Sequence, residues 1–269
     1  MDSVEQTDGP VRSLLVAVGL TIGGLLTAEL MTLPAFLMDP SLLDAPETVA
    51  RNVMVTFFIL NFLGFFVAGG LYLAYTGRGW SFVDLEMPSW RDWKYATAGI
   101  VASIVFMITV SLLAQLANLP AADSQIVEYI GGDTTLVLYL IVIVFLFNAP
   151  AEEFLFRNVI QKRLYLAFTR MQAVVATSLV FALVHFPVYA ATVDSLVATA
   201  VSLTVIFGGS IIFGYIYAKT DNLVVPTLAH AGFNALQFGN LYILLEYYPE
   251  EVDMETAMAV GTAIVGGLL

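Results

Sequence analysis

The pattern that organises this chain is a series of long apolar runs separated by short charged connections. Residues 52–77, between Arg51 and Arg78, carry no charged side chain. The same holds for 95–117, 134–151, 171–193, 195–218 and 222–245, counting histidine as neutral, and 13–38 carries only Glu29. Each run reaches the roughly 17–25 residues that cross a hydrocarbon core. Without water, a spanning segment must satisfy its own backbone, so each run is predicted to be a helix. A last run, 256–269, is short enough to be either an eighth helix or an interfacial tail. The expected fold is all-α: a polytopic bundle of seven to eight spans forming a single membrane domain over residues 1–269.

Composition closes off the soluble alternative. Apolar residues make up 59% and charged residues 12%, and the mean hydropathy is +0.86. So few charges cannot cover so much apolar surface in water. The 22 acidic against 10 basic residues leave a net charge of −12, which excludes nucleic acid as a partner because phosphate binding needs clustered cations. It also argues against a polybasic hold on anionic lipid. Acidity of this kind is common where ambient salt is high. There is no cysteine, which removes disulfides, thiolate nucleophiles and cysteine metal sites.

The basic residues fall on alternate connections. Arg12, Arg78, Arg91, Lys94, Arg157, Lys162, Arg163, Arg170 and Lys219 lie on one side, and only Arg51 lies on the other. The positive-inside rule assigns the first side, with the short N-terminus 1–12, to the cytoplasm. If 256–269 crosses, the C-terminus is cytoplasmic too and 246–255 is outside. The N-terminus lacks the pattern of a cleaved signal peptide. Gly19 and Gly23 form a GxxxG in the first run, a weak sign of helix dimerisation; the oligomeric state is left open.

Ionisable groups inside a bilayer are costly and point to function. Here they are Glu29, Glu152, Glu153, Arg157, His185 and His230. Glu153 and Arg157 share a helix face four residues apart, a spacing for an ion pair, while Glu152 points about 100° away. The bland reading of this cluster is a helix end whose charges reach the headgroups. His185 shares a face with Phe181, and His230 with Asn234; alone, each pair reads as a packing or interhelical hydrogen-bonding feature. Depth argues for a joint site. If the fourth run ends near Ile160 and the fifth and seventh begin near Ala173 and Asn222, Glu152 and His230 lie roughly 12 Å from the basic face, and His185 and Asn234 roughly 18 Å. A carboxylate and an imidazole that share a water make a general base. A second imidazole and an amide can stabilise an oxyanion. With no nucleophilic Ser or Cys arrangement, these parts suit direct attack of water on an amide. Glu152, His185 and His230 also make an acceptable zinc set, although the HExxH pattern is absent.

The three motifs in order, EExxxR (Glu152, Glu153, Arg157), FxxxH (Phe181, His185) and HxxxN (His230, Asn234), resemble the CPBP family of CAAX-prenyl-protease and bacteriocin-processing membrane proteins, which are similar to Rce1-like type II CAAX endopeptidases. The resemblance covers about residues 134–245. It implies an intramembrane endopeptidase whose site lies between helices and opens towards the cytoplasm. Glu152 and His185 would activate water, His230 and Asn234 would form the oxyanion hole, and Glu153, Arg157 and Phe181 would support them. No cofactor is favoured, because Asn is a poor zinc ligand but a good donor; zinc, if bound, would use Glu152, His185 and His230. Membrane lipid and a peptide or prenylated protein substrate are the implied partners, in a chain that looks prokaryotic and whose substrate need not be a CAAX protein. A proton-coupled transporter, and a non-catalytic scaffold or immunity protein, are the readings from other classes.

Overall fold

A computed structural model describes residues 7–120, 125–190 and 195–248. The expected helix over 256–269, the C-terminus and most of the 246–255 connection lie outside the described residues. All regular elements within them are helices. They are α1 (Pro10–Met38), α2 (Arg51–Tyr75), α3 (Trp90–Leu116), the short α4 (Gln125–Ile130), α5 (Thr134–Leu164), α6 (Arg170–Val184, continued by Phe186–Ala190), α7 (Leu196–Thr220) and α8 (Val224–Tyr247). Six of them, α1, α2, α3, α5, α6 and α7, are long and apolar enough to cross a membrane, so this is an integral membrane protein. The seventh expected span, α8, has 24 residues. It is not among the six, because its buried face carries Pro226, His230, Asn234 and Gln237.

Local chemistry sets the helix ends. Ser89 with Asp92, and Thr169 with Gln172, form capping boxes at the starts of α3 and α6, satisfying backbone donors that a helix start leaves free. Asp133 caps α5 by accepting from the Leu136 amide at 3.1 Å. Gly77, at φ +67°, stops α2. The Gly77 amide donates to the Ala74 carbonyl and the Arg78 amide to Leu73, the Schellman arrangement that needs a left-handed residue there.

Helices α1 and α2 form a close hairpin. A Cβ on Gly64 would sit 2.4 Å from the Ala28 Cα, and the Thr27 hydroxyl donates to the Gly64 carbonyl at 2.9 Å. The GxxxG glycines, Gly19 and Gly23, face open space instead. Helix α8 packs on α3 and α5, and α7 on α6 and α3. Helix α5 is the centre of the bundle, with every residue from Ala151 to Gln161 buried. It continues to Leu164, beyond the expected end near Ile160. Two π-helical stretches, Val144–Asn148 and Phe154–Gln161, flank the turn with Pro150 and the two glutamates. Proline removes a backbone donor, and π-helical turns are widened segments often found at functional sites.

The two ends of the bundle differ chemically. At one end Arg163 pairs with Asp8, Lys162 with Asp84, and Arg170 with Asp221. At the other, Arg51 holds Asp133 through two hydrogen bonds of 2.6 and 2.9 Å. The sole basic residue expected on the acidic side therefore has a local acidic partner.

Candidate active site

Helix α5 presents Asn148, Glu152, Glu153 and Arg157 from consecutive turns of one buried segment. Arg157 and Glu153 are fully buried and joined by an Nε–Oε2 hydrogen bond of 2.9 Å, as the four-residue spacing predicts. The helix-end reading fails at this point, since none of these charges reaches the surface. The second arm of the guanidinium donates to the Ser210 hydroxyl of α7 at 2.9 Å, and its plane lies 5.5 Å from the Phe181 ring centre. A Cβ on Gly214, one turn further along α7, would stand 2.8 Å from the Gln161 side-chain oxygen. Small residues four apart on α7 thus make room for the arginine. That spacing, Ser210 and Gly214, was the available sequence signal for a supporting helix not otherwise expected in the site.

Helix α8 meets the same cluster. His230 donates from Nδ1 to Glu153 Oε1 at 3.0 Å, and its Nε2 lies 3.8 Å from Glu152 Oε2. Phe213 stacks on the imidazole at 5.0 Å with 16° between planes. Glu152 is held by the Asn148 amide, which donates to Oε1 at 2.8 Å. Asn234 in turn donates to the Asn148 side-chain oxygen at 3.2 Å. Asn148 therefore couples the first glutamate to the HxxxN helix. The sequence reading passed over it, although its place four residues before Glu152 was the signal.

Helix α6 supplies His185 at a break in the helix. Pro187 cannot continue the backbone ladder, and His185 sits at the junction with its amide turned to the Ala182 carbonyl at 3.1 Å. Its Nδ1 lies 2.7 Å from the Phe181 carbonyl oxygen. A carbonyl only accepts, so Nδ1 carries the proton and a neutral ring leaves Nε2 with a free lone pair. Among the described residues no hydrogen bond joins His185 to Glu152. The two instead line one cavity of about 210 Å³, with Glu29 and Asn61 on its far wall. Glu29, at first an isolated charge in the apolar α1 run, thus borders the same space.

All of the expected site residues are buried in one interhelical region. Glu152, Glu153, Arg157, His230 and Asn234 are joined through hydrogen bonds or close contacts, and His185 through the shared cavity. A metal fits this arrangement poorly. Among the described residues no three His, Asp or Glu side chains converge as ligands.

A family model described as type II CAAX prenyl endopeptidase Rce1-like matches residues 134–236. This stretch of the chain is similar to an Rce1-like domain. The matched stretch takes in α5, α6, α7 and the first half of α8, and with them every residue of the three motifs. Helices α1, α2 and α3 lie outside it, although α1 and α2 supply the far wall of the cavity. No curated protein and no solved structure shows a significant match to the chain.

Proposed function

We propose that this protein is an intramembrane endopeptidase that cleaves a peptide bond by direct attack of water, with Glu152 and His185 as the activating pair. The observation that carries this reading is the shared cavity: a carboxylate and an imidazole border one open-sided cavity, and the Rce1-like match covers both. In this mechanism water sits between Glu152 and the free Nε2 of His185. Glu152 takes a proton as the water oxygen bonds to the substrate carbonyl carbon. The carbonyl oxygen becomes an oxyanion, which Asn234 stabilises as a donor through its amide, and His230 through Nε2–H as an imidazolium whose Nδ1–H is held by Glu153. The proton on Glu152 then passes to the departing amine as the carbon–nitrogen bond breaks. No covalent acyl intermediate forms. Arg157 holds Glu153, and Glu153 orients His230, so this second carboxylate acts as a positioning group. The substrate class is a membrane-embedded peptide or prenylated protein, and no metal takes part.

Cleavage of a fluorogenic prenyl-peptide library by purified protein, with and without chelator, tests the reading. Removing the base should abolish kcat while substrate still binds, because base and water act only on the way to the transition state. Glu152→Ala and His185→Ala should lose nearly all turnover. Loss of one oxyanion donor costs about 10²–10³ in kcat, so Asn234→Ala should keep a measurable residue. Wild-type activity in Glu152→Ala would sink the catalytic reading and favour a scaffold or immunity role. A stoichiometric zinc that tracks activity would overturn only the metal-free assignment.

One observation favours proton-coupled transport as a second reading: Glu29 borders the cavity of Glu152 and His185, extending the titratable groups away from the motif cluster. Proton uptake into liposomes that depends on Glu29, without any cleavage, would select it.

A further inference from the structure

A larger cavity lies away from Glu152 and His185. It is a groove of about 670 Å³ between α2, α8 and the 76–89 connection, walled by Phe66, Leu73, Val83 and Leu228, with Pro150 and Phe154 of α5 among its lining. Almost everything that lines it is apolar. The exceptions are Thr227 and the one charged residue, Arg78, which also borders a second cavity of about 280 Å³ with Lys162, Arg170, Asp221, Tyr165 and Tyr217. One guanidinium thus joins an oily groove to a basic, phenol-lined pocket.

Arg78 is held at this junction by backbone geometry. The left-handed Gly77 and the Arg78 amide bond to Leu73 fix where its side chain leaves α2. The guanidinium lies 4.4 Å from the Phe82 ring centre, and the Lys162 ammonium lies 4.2 Å from the same ring. Lys162 and Arg170 have carboxylate partners in Asp84 and Asp221. Arg78 has none among the described residues; its one side-chain hydrogen bond goes to the Tyr72 hydroxyl at 3.3 Å. Tyr165 adds a donor. Burial pushes its phenol up to about 12, and since the hydroxyl already accepts from Gln161 at 2.7 Å, its own proton is free to donate. Trp80, in the groove wall, is 84% exposed, and Tyr75 and Trp90 are exposed beside it. Aromatic side chains of this kind sit at headgroup depth, which puts Arg78 at the level of lipid phosphates.

We propose that this composite site binds an anionic phospholipid from the surrounding leaflet, with an acyl chain in the groove and the phosphate headgroup against Arg78. It is one built site with one uncompensated cation, unlike the polybasic surface that the sequence argues against. The proposal is independent of the protease reading.

Fluorescence quenching tests it. The chain has three tryptophans, so Trp90→Phe with Trp93→Phe leaves Trp80 as the sole probe in the groove wall. This protein is reconstituted in vesicles containing brominated phosphatidylglycerol or brominated phosphatidylcholine, at physiological ionic strength. One cation near the lipid surface is worth about fivefold in binding. Trp80 should therefore prefer the anionic lipid by about that factor, and Arg78→Gln should remove the preference while leaving thermal unfolding unchanged. Equal quenching by both lipids, or a preference that survives Arg78→Gln, would overturn the site. So would abolition of the preference by millimolar inorganic phosphate, since the acyl chain would then contribute nothing.

Discussion

The adjacent glutamates Glu152 and Glu153 differ in their surroundings. Glu153 is fully buried, ion-paired to Arg157 and hydrogen-bonded to His230. Glu152 borders a cavity and is held by a neutral amide. Removing one partner of a buried ion pair leaves the other charge uncompensated, at a cost of about 3–5 kcal/mol. Glu153→Gln should therefore strongly destabilise the protein in thermal unfolding. Glu152→Gln keeps an oxygen able to accept from Asn148, and should cost about 1 kcal/mol or less. Equal destabilisation by the two would count against the division between positioning and catalytic carboxylate. The ion pair was legible in the sequence, because four-residue spacing puts Glu153 and not Glu152 under Arg157. The role of Asn148 was not, since its second contact, to Asn234, depends on how α8 packs against α5.

At the scale of elements, Asp133 does two jobs: it caps α5 and pairs with Arg51 at the start of α2. The Arg51 guanidinium, followed by the Leu136 amide, holds the Asp133 carboxyl below its ordinary value of 3.8 against the opposing effect of burial. A depressed carboxyl pKa stabilises the fold fully above the unfolded value and loses that stabilisation as pH falls through the folded one. Wild type should thus be more stable than Asp133→Ala at neutral pH by about 1 kcal/mol, a typical loss for an N-cap. The gap should close as pH drops below 3.8. A gap that stays constant into strong acid would mean that the carboxylate charge contributes nothing. Helix existence was readable from the seven long apolar runs, each of which is helical where the structure describes it, the fifth with a break at His185. Two features were not: the extension of α5 to Leu164 through charged residues, and the close α1–α2 approach at Gly64. Both depend on neighbouring helices. A charge within a run ends a span only if it faces lipid, and a glycine matters only where another backbone approaches it.

Across the whole molecule, the connections divide into a basic end and an acidic end. The N-terminal segment, the 76–89 connection, the α5–α6 turn and the α7–α8 turn gather at the basic end, tied by Asp8 with Arg163 and by Asp84 with Lys162. The positive-inside rule then predicts a cytoplasmic basic end. Reporter fusions truncated after Trp80 and after Leu119 should give opposite signals, with the first cytoplasmic. Matching signals would mean that α3 does not cross. The inverse pattern would reverse the orientation of the molecule and move the Arg78 groove to the outer leaflet.

The sequence by itself determined what depends on residue type and short-range spacing. Apolar runs dictate helices because the bilayer leaves backbone groups no other partner. The Glu153–Arg157 pair follows from helix pitch, and the candidate list from the scarcity of ionisable groups within the spans. Tertiary structure alone decided which groups meet across helices. It made His230 a partner of Glu153, brought Asn148 to Asn234, gave Glu152 and His185 one cavity with Glu29, and set Arg78 between an apolar groove and a basic pocket. Those relations depend on the rotation and depth of each helix against its neighbours. They are fixed by side-chain packing between segments far apart in the chain, which spacing along one helix does not encode.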